Sequence, residues 1–341
     1  MNNTKVFLPE WTRQSAVLIA WPHPESDWNY MLTEVRACFR NIVRSIAKFE
    51  EVILLVDSDN TASELRRDFP DNVRMLVVPT NDTWARDFGP IFIEEQGQMK
   101  ALDFKFNGWG LKFAADMDNL INRELFRQGL FTTDVEYNNY LNFVLEGGSL
   151  ESDGKGTLLT TTECLLSPNR NGGWGKDEIE TYLKEVLGFE RVLWLDHGYL
   201  SGDDTDSHID TLARFCSPDT IAYVQCNDRE DEHYEELKAM EDQLKNFSTA
   251  NGKPYKLLPL PMADIIIEEG ERLPATYANF LIINGAVLVP RYNSSKDDEA
   301  IKVIKEAFPG REVIGVNCRP LIKQHGSLHC VTMQLPEGVL S

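Results

Sequence analysis

Four aspartates and one histidine fall within eight positions in Asp203-Asp-Thr-Asp-Ser-His-Ile-Asp210. Gly202 precedes this run, and the mostly apolar stretch Thr211–Cys216 follows it. From His208 onward the residues alternate between two faces, which predicts a strand entered from an acidic turn. On such a strand His208 and Asp210 point the same way, about 7 Å apart. An imidazole and a carboxylate held side by side suit general acid–base chemistry. Two plainer assignments compete. The run also reads as a solvated acidic loop, or as a metal site built on Asp203, Asp206, His208 and Asp210.

Three other clusters carry reactive residue types: Trp84-Ala-Arg-Asp-Phe-Gly-Pro90, Leu145-Glu-Gly-Gly-Ser149 and His325-Gly-Ser-Leu-His-Cys-Val-Thr332. Cys330 is flanked by small and polar residues at a glycine-containing strand start, where a backbone or ligand can approach closely. The plain alternative is one more buried thiol. His329 precedes Cys330, and neighbours on a strand face opposite sides, so His208 is the better base for the thiol. Asp87 beside Arg86 is also readable as a structural ion pair, and Glu146 before Gly147 and Gly148 as the cap of a bulge. Carboxylates near a thiol raise its pKa and suppress the thiolate. A guanidinium substrate resolves that conflict. Its planar fork pairs with carboxylates, and its charge favours the thiolate that attacks it.

Elements must bring these clusters together. Helical periodicity appears near 32–49, 117–129, 177–187, 230–246 and 297–307, as in Leu32, Val35, Phe39, Ile42, Val43 and Ile46. Three helices lead into similar strands, Phe49–Val56, Phe189–Leu195 and Gly310–Val316. The result is a degenerate repeat of roughly 65 residues. Paired strands are expected at Asp87–Glu95 with Met99–Asn107, Phe143–Glu151 with Gly156–Ser167, His208–Cys216 with Asp219–Cys226, and Tyr277–Asn284 with Ala286–Arg291. A last strand, Ser327–Leu335, lacks a long partner, and the N-terminal run Ser15–Trp21 can supply it. Helix-and-strand units whose ends complete each other predict a closed ring without exposed sheet edges. No Pro/Gly/Ser-rich linker divides the 341 residues, so one domain over 1–341 is expected.

Composition narrows the partners. Lys and Arg total 34 against 54 Asp and Glu, a net charge of -20. Such a surface repels nucleic acid and anionic membrane and favours cationic ligands. The N-terminus lacks a basic segment followed by an apolar one, and no apolar run approaches the length of a membrane span. The six cysteines, at 38, 164, 216, 226, 318 and 330, form no CxxC pair. Scattered thiols of this kind point to a reducing compartment, the cytoplasm.

Taken together and in order, Trp84-Ala-Arg-Asp87-Phe-Gly-Pro, Leu145-Glu146-Gly-Gly, Gly202-Asp-Asp-Thr-Asp-Ser-His208-Ile-Asp210 and Ser327-Leu-His-Cys330 resemble the agmatine deiminase family. That family is related to the bacterial peptidylarginine deiminases and the wider guanidine-modifying enzymes. The resemblance covers nearly the whole chain. It implies an α/β fold, a five-bladed pseudo-fivefold α/β propeller (the pentein fold). It also implies hydrolysis of agmatine to N-carbamoylputrescine and ammonia through a covalent amidino-thioether, in putrescine and polyamine biosynthesis. Carried over by position, Cys330 is the nucleophile and His208 the general acid/base. Asp87 and Asp210 hold the guanidinium. Glu146 pairs with the substrate and helps orient His208. Trp84 and Asp204 meet the alkyl chain and the distal amine. The resemblance calls for no metal and no organic cofactor, and is compatible with a homo-oligomer. One departure stands out. Many family members read Gly-Gly-Gly-Asn-Ile-His-Cys before the thiol, where this chain has His325-Gly-Ser-Leu-His-Cys330. Deimination of free or peptidyl arginine on the same fold is therefore the alternative.

Overall fold

The sequence repeat becomes a structural one. The computed structural model describes residues 5–341. Among these, five sheets of three or four strands accompany one two-stranded hairpin. Each of the five is built alike: two strands pair antiparallel, a helix follows, and the next strand returns parallel to the second. Ile91–Glu95 and Gln98–Lys105 are completed by Glu136–Val144. Glu151–Ser152 and Thr157–Thr161 are completed by Arg191–Leu195. Ala213–Ser217 and Thr220–Gln225 are completed by Lys256–Pro261, and Leu281–Ile283 and Ala286–Arg291 by Glu312–Asn317. The closing blade takes Met333–Pro336 from one end of the chain and Gln14–Ala20 from the other. Glu51–Val56 and Val73–Val77 extend it.

The helical crossovers follow from the parallel pairing, since parallel neighbours cannot be joined by a tight turn. Helix Leu32–Ile46 shows the driving force. It buries Val35, Phe39, Ile42, Val43 and Ile46 along one stripe, each contributing roughly 1.5–3 kcal/mol relative to exposure. Strand Gln14–Ala20 is apolar on nearly every position because both faces of its sheet are covered. No helix among the described residues is long and apolar enough to cross a membrane.

The expected strands overrun at one consistent place. Asp87 lies in a short helix, Ala85–Phe88, rather than a strand. His208 precedes a 3-10 turn, Ile209–Thr211, so the alternating strand begins only at Ala213. The strand expected at Phe143–Glu151 splits into the end of Glu136–Val144, a turn at Gly147–Ser149 and the short Glu151–Ser152. The last strand starts at Met333, not Ser327. In every case the residues just before a blade leave the ladder and turn onto the ring axis.

There they bond to one another. Gly148 N donates to Asp87 Oδ1 at 3.0 Å. His208 Nε2 lies 3.4 Å from Glu146 Oε2, and Asn279 Nδ2 donates to the Asp210 carbonyl at 3.4 Å. His329 N donates to Asn279 Oδ1 at 2.8 Å. Arg86 N donates to the Cys330 carbonyl at 3.1 Å, which closes the circuit. Asn279 is fully buried and links three of the five segments. Asn279→Ala is expected to destabilise the fold by about 2–4 kcal/mol, since it strands several buried partners. A urea midpoint and slope matching wild type would show that the circuit carries no stability.

Candidate active site

The ring gathers the chemistry-bearing residues on its axis. Cys330 is buried, with Sγ 3.4 Å from Asn279 Oδ1 and 3.8 Å from Asp210 Oδ2. Burial and the charges of Asp210 and Asp87 push its thiol well above the usual range. Asp210 accepts from His329 Nδ1 at 2.7 Å through Oδ2. Its other oxygen, Oδ1, is buried without a partner, which is costly unless something completes it. Burial raises the Asp210 carboxyl, but the hydrogen bond and charge of His329 outweigh it and hold it below its usual value.

His208 stands between two carboxylates, Asp87 Oδ1 at 3.6 Å and Glu146 Oε2 at 3.4 Å. Burial works against its imidazolium, but Asp87, Cys164 and Glu146 together outweigh it and hold the ring well above its ordinary pKa. Burial pushes the Cys164 thiol itself up. Glu146 is completely buried and both its oxygens accept from Arg170 Nε, at 3.0 and 2.8 Å. Arg170 is in turn fixed by the Thr205 carbonyl at 2.8 Å and by Asp206. Glu146 thus faces His208 and Arg170, which fits orienting the imidazole.

Asp87 accepts from Gly148 N at 3.0 Å and from Trp109 Nε1 at 2.9 Å. Burial, with Asp210 and Glu146 adding to it, raises its pKa to about 6 despite His208. Trp109 is delivered by a run of left-handed residues, Gly108 (φ 67), Trp109 (φ 54), Gly110 (φ 84) and Leu111 (φ 69). Such strain persists where surrounding contacts enforce it. Only glycine fits at 108, because a Cβ there would sit 2.2 Å from the Phe113 carbonyl oxygen. Lys112 then pins the loop by donating to the Asp204 carbonyl and to Asp206 Oδ1, both at 2.6 Å.

A cavity of about 340 Å³ opens above the thiol, with Trp84, Asp87, Trp109, Lys112, Asp204 and Cys330 in its wall. The lining also includes Glu25, Asp27, Asp82, Asp118 and Asp203. Burial and neighbouring Asp203 raise Asp204 to about 6. Burial and neighbouring Asp27 raise Asp82 to about 7. The pocket is short of positive charge.

All the residues singled out in the sequence therefore meet. Cys330, Asp87, Trp84 and Asp204 line the cavity, and Asp210, His208 and Glu146 stand directly behind. The acidic run itself disperses. Asp203 accepts from Thr205 and Ser207, Asp206 binds Arg170 and Lys112, and Asp204 faces the cavity. The metal reading based on that run loses its geometry, since its members hold separate partners. Glu146, Cys164 and His208 do present donors within reach of one ion, but Arg170 already fills the carboxylate with a fixed positive charge. Arg86 pairs with Glu10 at 3.3 Å rather than with Asp87. The sequence reading missed Arg170, Asn279 and Trp109. Of these only Trp109 carried a local signal, its flanking glycines.

A profile of the Porphyromonas-type peptidyl-arginine deiminase family matches residues 6–336. A curated relative from Lactococcus lactis, provisionally named an agmatine deiminase, is 35% identical, with 96% of this chain and 94% of that protein covered. A solved structure from Porphyromonas gingivalis, provisionally named an arginine deiminase, is 53% identical, with TM-score 0.95 and coverage of 99% and 100%. The agmatine deiminase of C. jejuni, solved with substrate bound, is 40% identical, with TM-score 0.92 and coverage of 98% and 97%.

Gly148 offers a sharp test of the packing. A Cβ there would lie 2.5 Å from His208 Nδ1 and 2.8 Å from Asp87 Oδ1. Gly148→Ala should fold yet lose roughly a hundredfold in kcat/KM toward a guanidine substrate, as expected for displacement near 1 Å. Wild-type kinetics in this variant would mean the imidazole tolerates displacement.

Proposed function

This chain belongs to the Porphyromonas-type peptidyl-arginine deiminase family, and we propose that it hydrolyses agmatine to N-carbamoylputrescine and ammonia. The observation that carries the choice of substrate is the charge of the cavity. Of the lining residues, those able to be cations are Lys112 and His325. Lys112 is committed to Asp204 and Asp206, and His325 Nδ1 lies 2.6 Å from the Gly202 carbonyl. An α-carboxylate, as in free arginine, would meet aspartates and no uncommitted cation. A dication with an ammonium at its far end meets what it needs.

In this reading the guanidinium lies between Asp87 and the unpartnered Oδ1 of Asp210. Its aliphatic chain runs along Trp84 and Trp109, and the ammonium reaches Asp204. The incoming charge offsets the carboxylates that keep the Cys330 thiol neutral, so a thiolate forms only with substrate present. Sulfur attacks the guanidinium carbon. His208, already protonated, gives its proton to the departing ammonia. The neutral imidazole then takes a proton from water and hydroxide adds to the amidino-thioether carbon; the C–S bond breaks with its electron pair returning to sulfur, the added hydroxyl gives up its proton through water to the released ammonia, and the ureido product leaves. Glu146 and Arg170 hold His208 for both proton transfers. No step requires a metal or organic cofactor. N-carbamoylputrescine is one hydrolysis from putrescine, which puts the reaction in polyamine biosynthesis.

The second reading, deimination of free or peptidyl arginine, is favoured by the name of the Porphyromonas gingivalis structure. Turnover of agmatine, arginine and arginyl peptides separates the two. Agmatine should lead in kcat/KM by at least about a hundredfold, since the site leaves a carboxylate unpaired. Preference for arginine or a peptide would overturn the substrate assignment. Cys330→Ser should abolish turnover in a folded protein, and Asp87→Asn or Asp210→Asn should each cost on the order of 2–4 kcal/mol in kcat/KM.

The pH profile gives an independent check. Asp87 must be ionised to hold a guanidinium, and its pKa is raised to about 6 in the free protein. As pH falls through that value the carboxylate is protonated, while agmatine keeps both charges. kcat/KM for agmatine should therefore show an acid limb near pH 6 that reflects two groups, Asp87 and Asp204, and the residual activity of Asp87→Asn should keep only the single-proton part due to Asp204. An unbroken plateau down to pH 4.5 would remove Asp87 from guanidinium binding.

A further inference from the structure

Beneath the thiol lies a line of titratable groups of which this chemistry uses only Asp210. Asp210 Oδ2 is 2.7 Å from His329 Nδ1, and His329 Nε2 is 2.7 Å from Glu10 Oε1. Asp210 and His329 are each 1% exposed, whereas the Glu10 side chain is 18% exposed. Glu10 lines a second, smaller cavity of about 70 Å³, together with Pro9, Arg13, Arg86 and Gln334. That cavity shares no lining residue with the one that holds Cys330. A continuous path therefore leads from the Cys330 sulfur, across 3.8 Å to Asp210, through His329 to Glu10, and into the second cavity.

The path is set up to move protons. Two short contacts, one on each ring nitrogen, need two protons shared among three groups. They are an imidazolium between two carboxylates, or a neutral imidazole beside one carboxylic acid. A single proton shift converts one into the other. Arg214 Nη2 lies 2.6 Å from Glu10 Oε2 and 3.1 Å from His329 Nε2, and Arg86 Nη1 lies 3.3 Å from Glu10 Oε1. Burial and these two guanidiniums disfavour a proton resting on His329. The same guanidiniums, with His329, outweigh burial and keep Glu10 well below its usual pKa.

Such a path has a use if the proposed reading of the site holds, on which this inference rests. The thiol begins neutral and must lose its proton once the substrate cation arrives. His208 already carries a proton, and the substrate fills the cavity above. We propose that Asp210, His329 and Glu10 form a relay that releases one proton to the second cavity, away from the bound substrate, as Cys330 gives up its own, and takes one back when the product leaves. The S–H bond breaks with its electron pair staying on sulfur, and the proton goes to Asp210 Oδ2, which still accepts from His329 Nδ1–H. The imidazolium passes its Nε2 proton to Glu10 Oε1, and Glu10 gives it to water. Guanidinium plus water yields a ureido group plus ammonium with no net proton change, so the relay runs backwards once per turnover. His329 and Glu10 act through Asp210, without touching the substrate.

The test uses the full-length protein and acetamidine, an amidinium that cannot be deiminated like a guanidine substrate. Thiolate formation is followed by ultraviolet absorbance after mixing, alongside agmatine turnover. Glu10→Ala should bind acetamidine within about threefold of wild type, yet form thiolate and turn over at least about tenfold more slowly. Formate, a small titratable acid that fits the vacated space, should restore the rate with rising concentration, whereas chloride should not. A structural role for Glu10 would give no formate-specific rescue. His329→Gln keeps one hydrogen bond but cannot pass a proton; it should show the same loss without formate rescue, and it decides the matter if Glu10→Ala does not fold. Wild-type thiolate formation in either variant overturns the relay, as does a loss in Glu10→Ala that formate leaves unchanged. Failure of the wild-type protein to bind acetamidine or to deiminate agmatine would instead overturn the site reading.

Discussion

Burying carboxylates along one axis is the constraint on which the rest of this structure depends. Glu10, Glu146, Glu151 and Asp210 all approach the centre of the ring, where an unpaired charge costs several kcal/mol. Arg214 answers most of that demand. It is fully buried, bonds to Glu151 and Glu10, and donates to the Ala278 and Phe280 carbonyls at 3.1 and 2.8 Å. Its guanidinium carbon also lies 4.7 Å from the centre of the Phe280 ring. One side chain thus joins the blades that start at Glu151, Ala213 and Leu281 to the N-terminal segment. Arg170 plays the corresponding part for Glu146 on the side of His208.

The contrast between paired and underpaired charge marks out the site. Glu146, clasped by Arg170, is held below its usual pKa against burial, whereas at Glu151 burial outweighs Arg214 and the carboxyl is pushed up to about 8. At the cavity carboxylates, which no arginine contacts, burial wins. Asp87 and Asp204 rise to about 6, and an oxygen of Asp210 is left without a partner. The deficit is one of positive charge, near Asp87 and Asp210 and again near Asp204. A ligand of that charge completes the electrostatics that the folded chain leaves open.

The sequence made much of this legible because the motifs are local. Each cluster lies within a few residues, and the helices and blade strands follow hydrophobic periodicity. The pairing of Ser15–Trp21 with the last strand was foreseen from the count of unmatched strands. The geometry around His208 was not. The residues were the right ones, but His208 and Asp210 do not share a strand face; they flank and occupy a 3-10 turn. The segments before each blade satisfy their backbone groups across neighbouring units, and such partners leave no trace in local spacing. Arg170 and Asn279 were missed for the same reason. Each acts on residues dozens of positions away, Glu146 in one case and Cys330 in the other.

The closing blade has a consequence for how the molecule comes into being. Leu18 pairs with Met333, so the first strand of that sheet is synthesised long before its edge partner exists. At about 5–20 residues per second the wait is on the order of tens of seconds. During that time Gln14–Ala20 presents an open, apolar edge, the kind that recruits foreign strands. The segment that seals it also carries Cys330, a few residues upstream. A chain still emerging from the ribosome therefore keeps that edge open, and a single late pairing both covers it and brings Cys330 onto the axis.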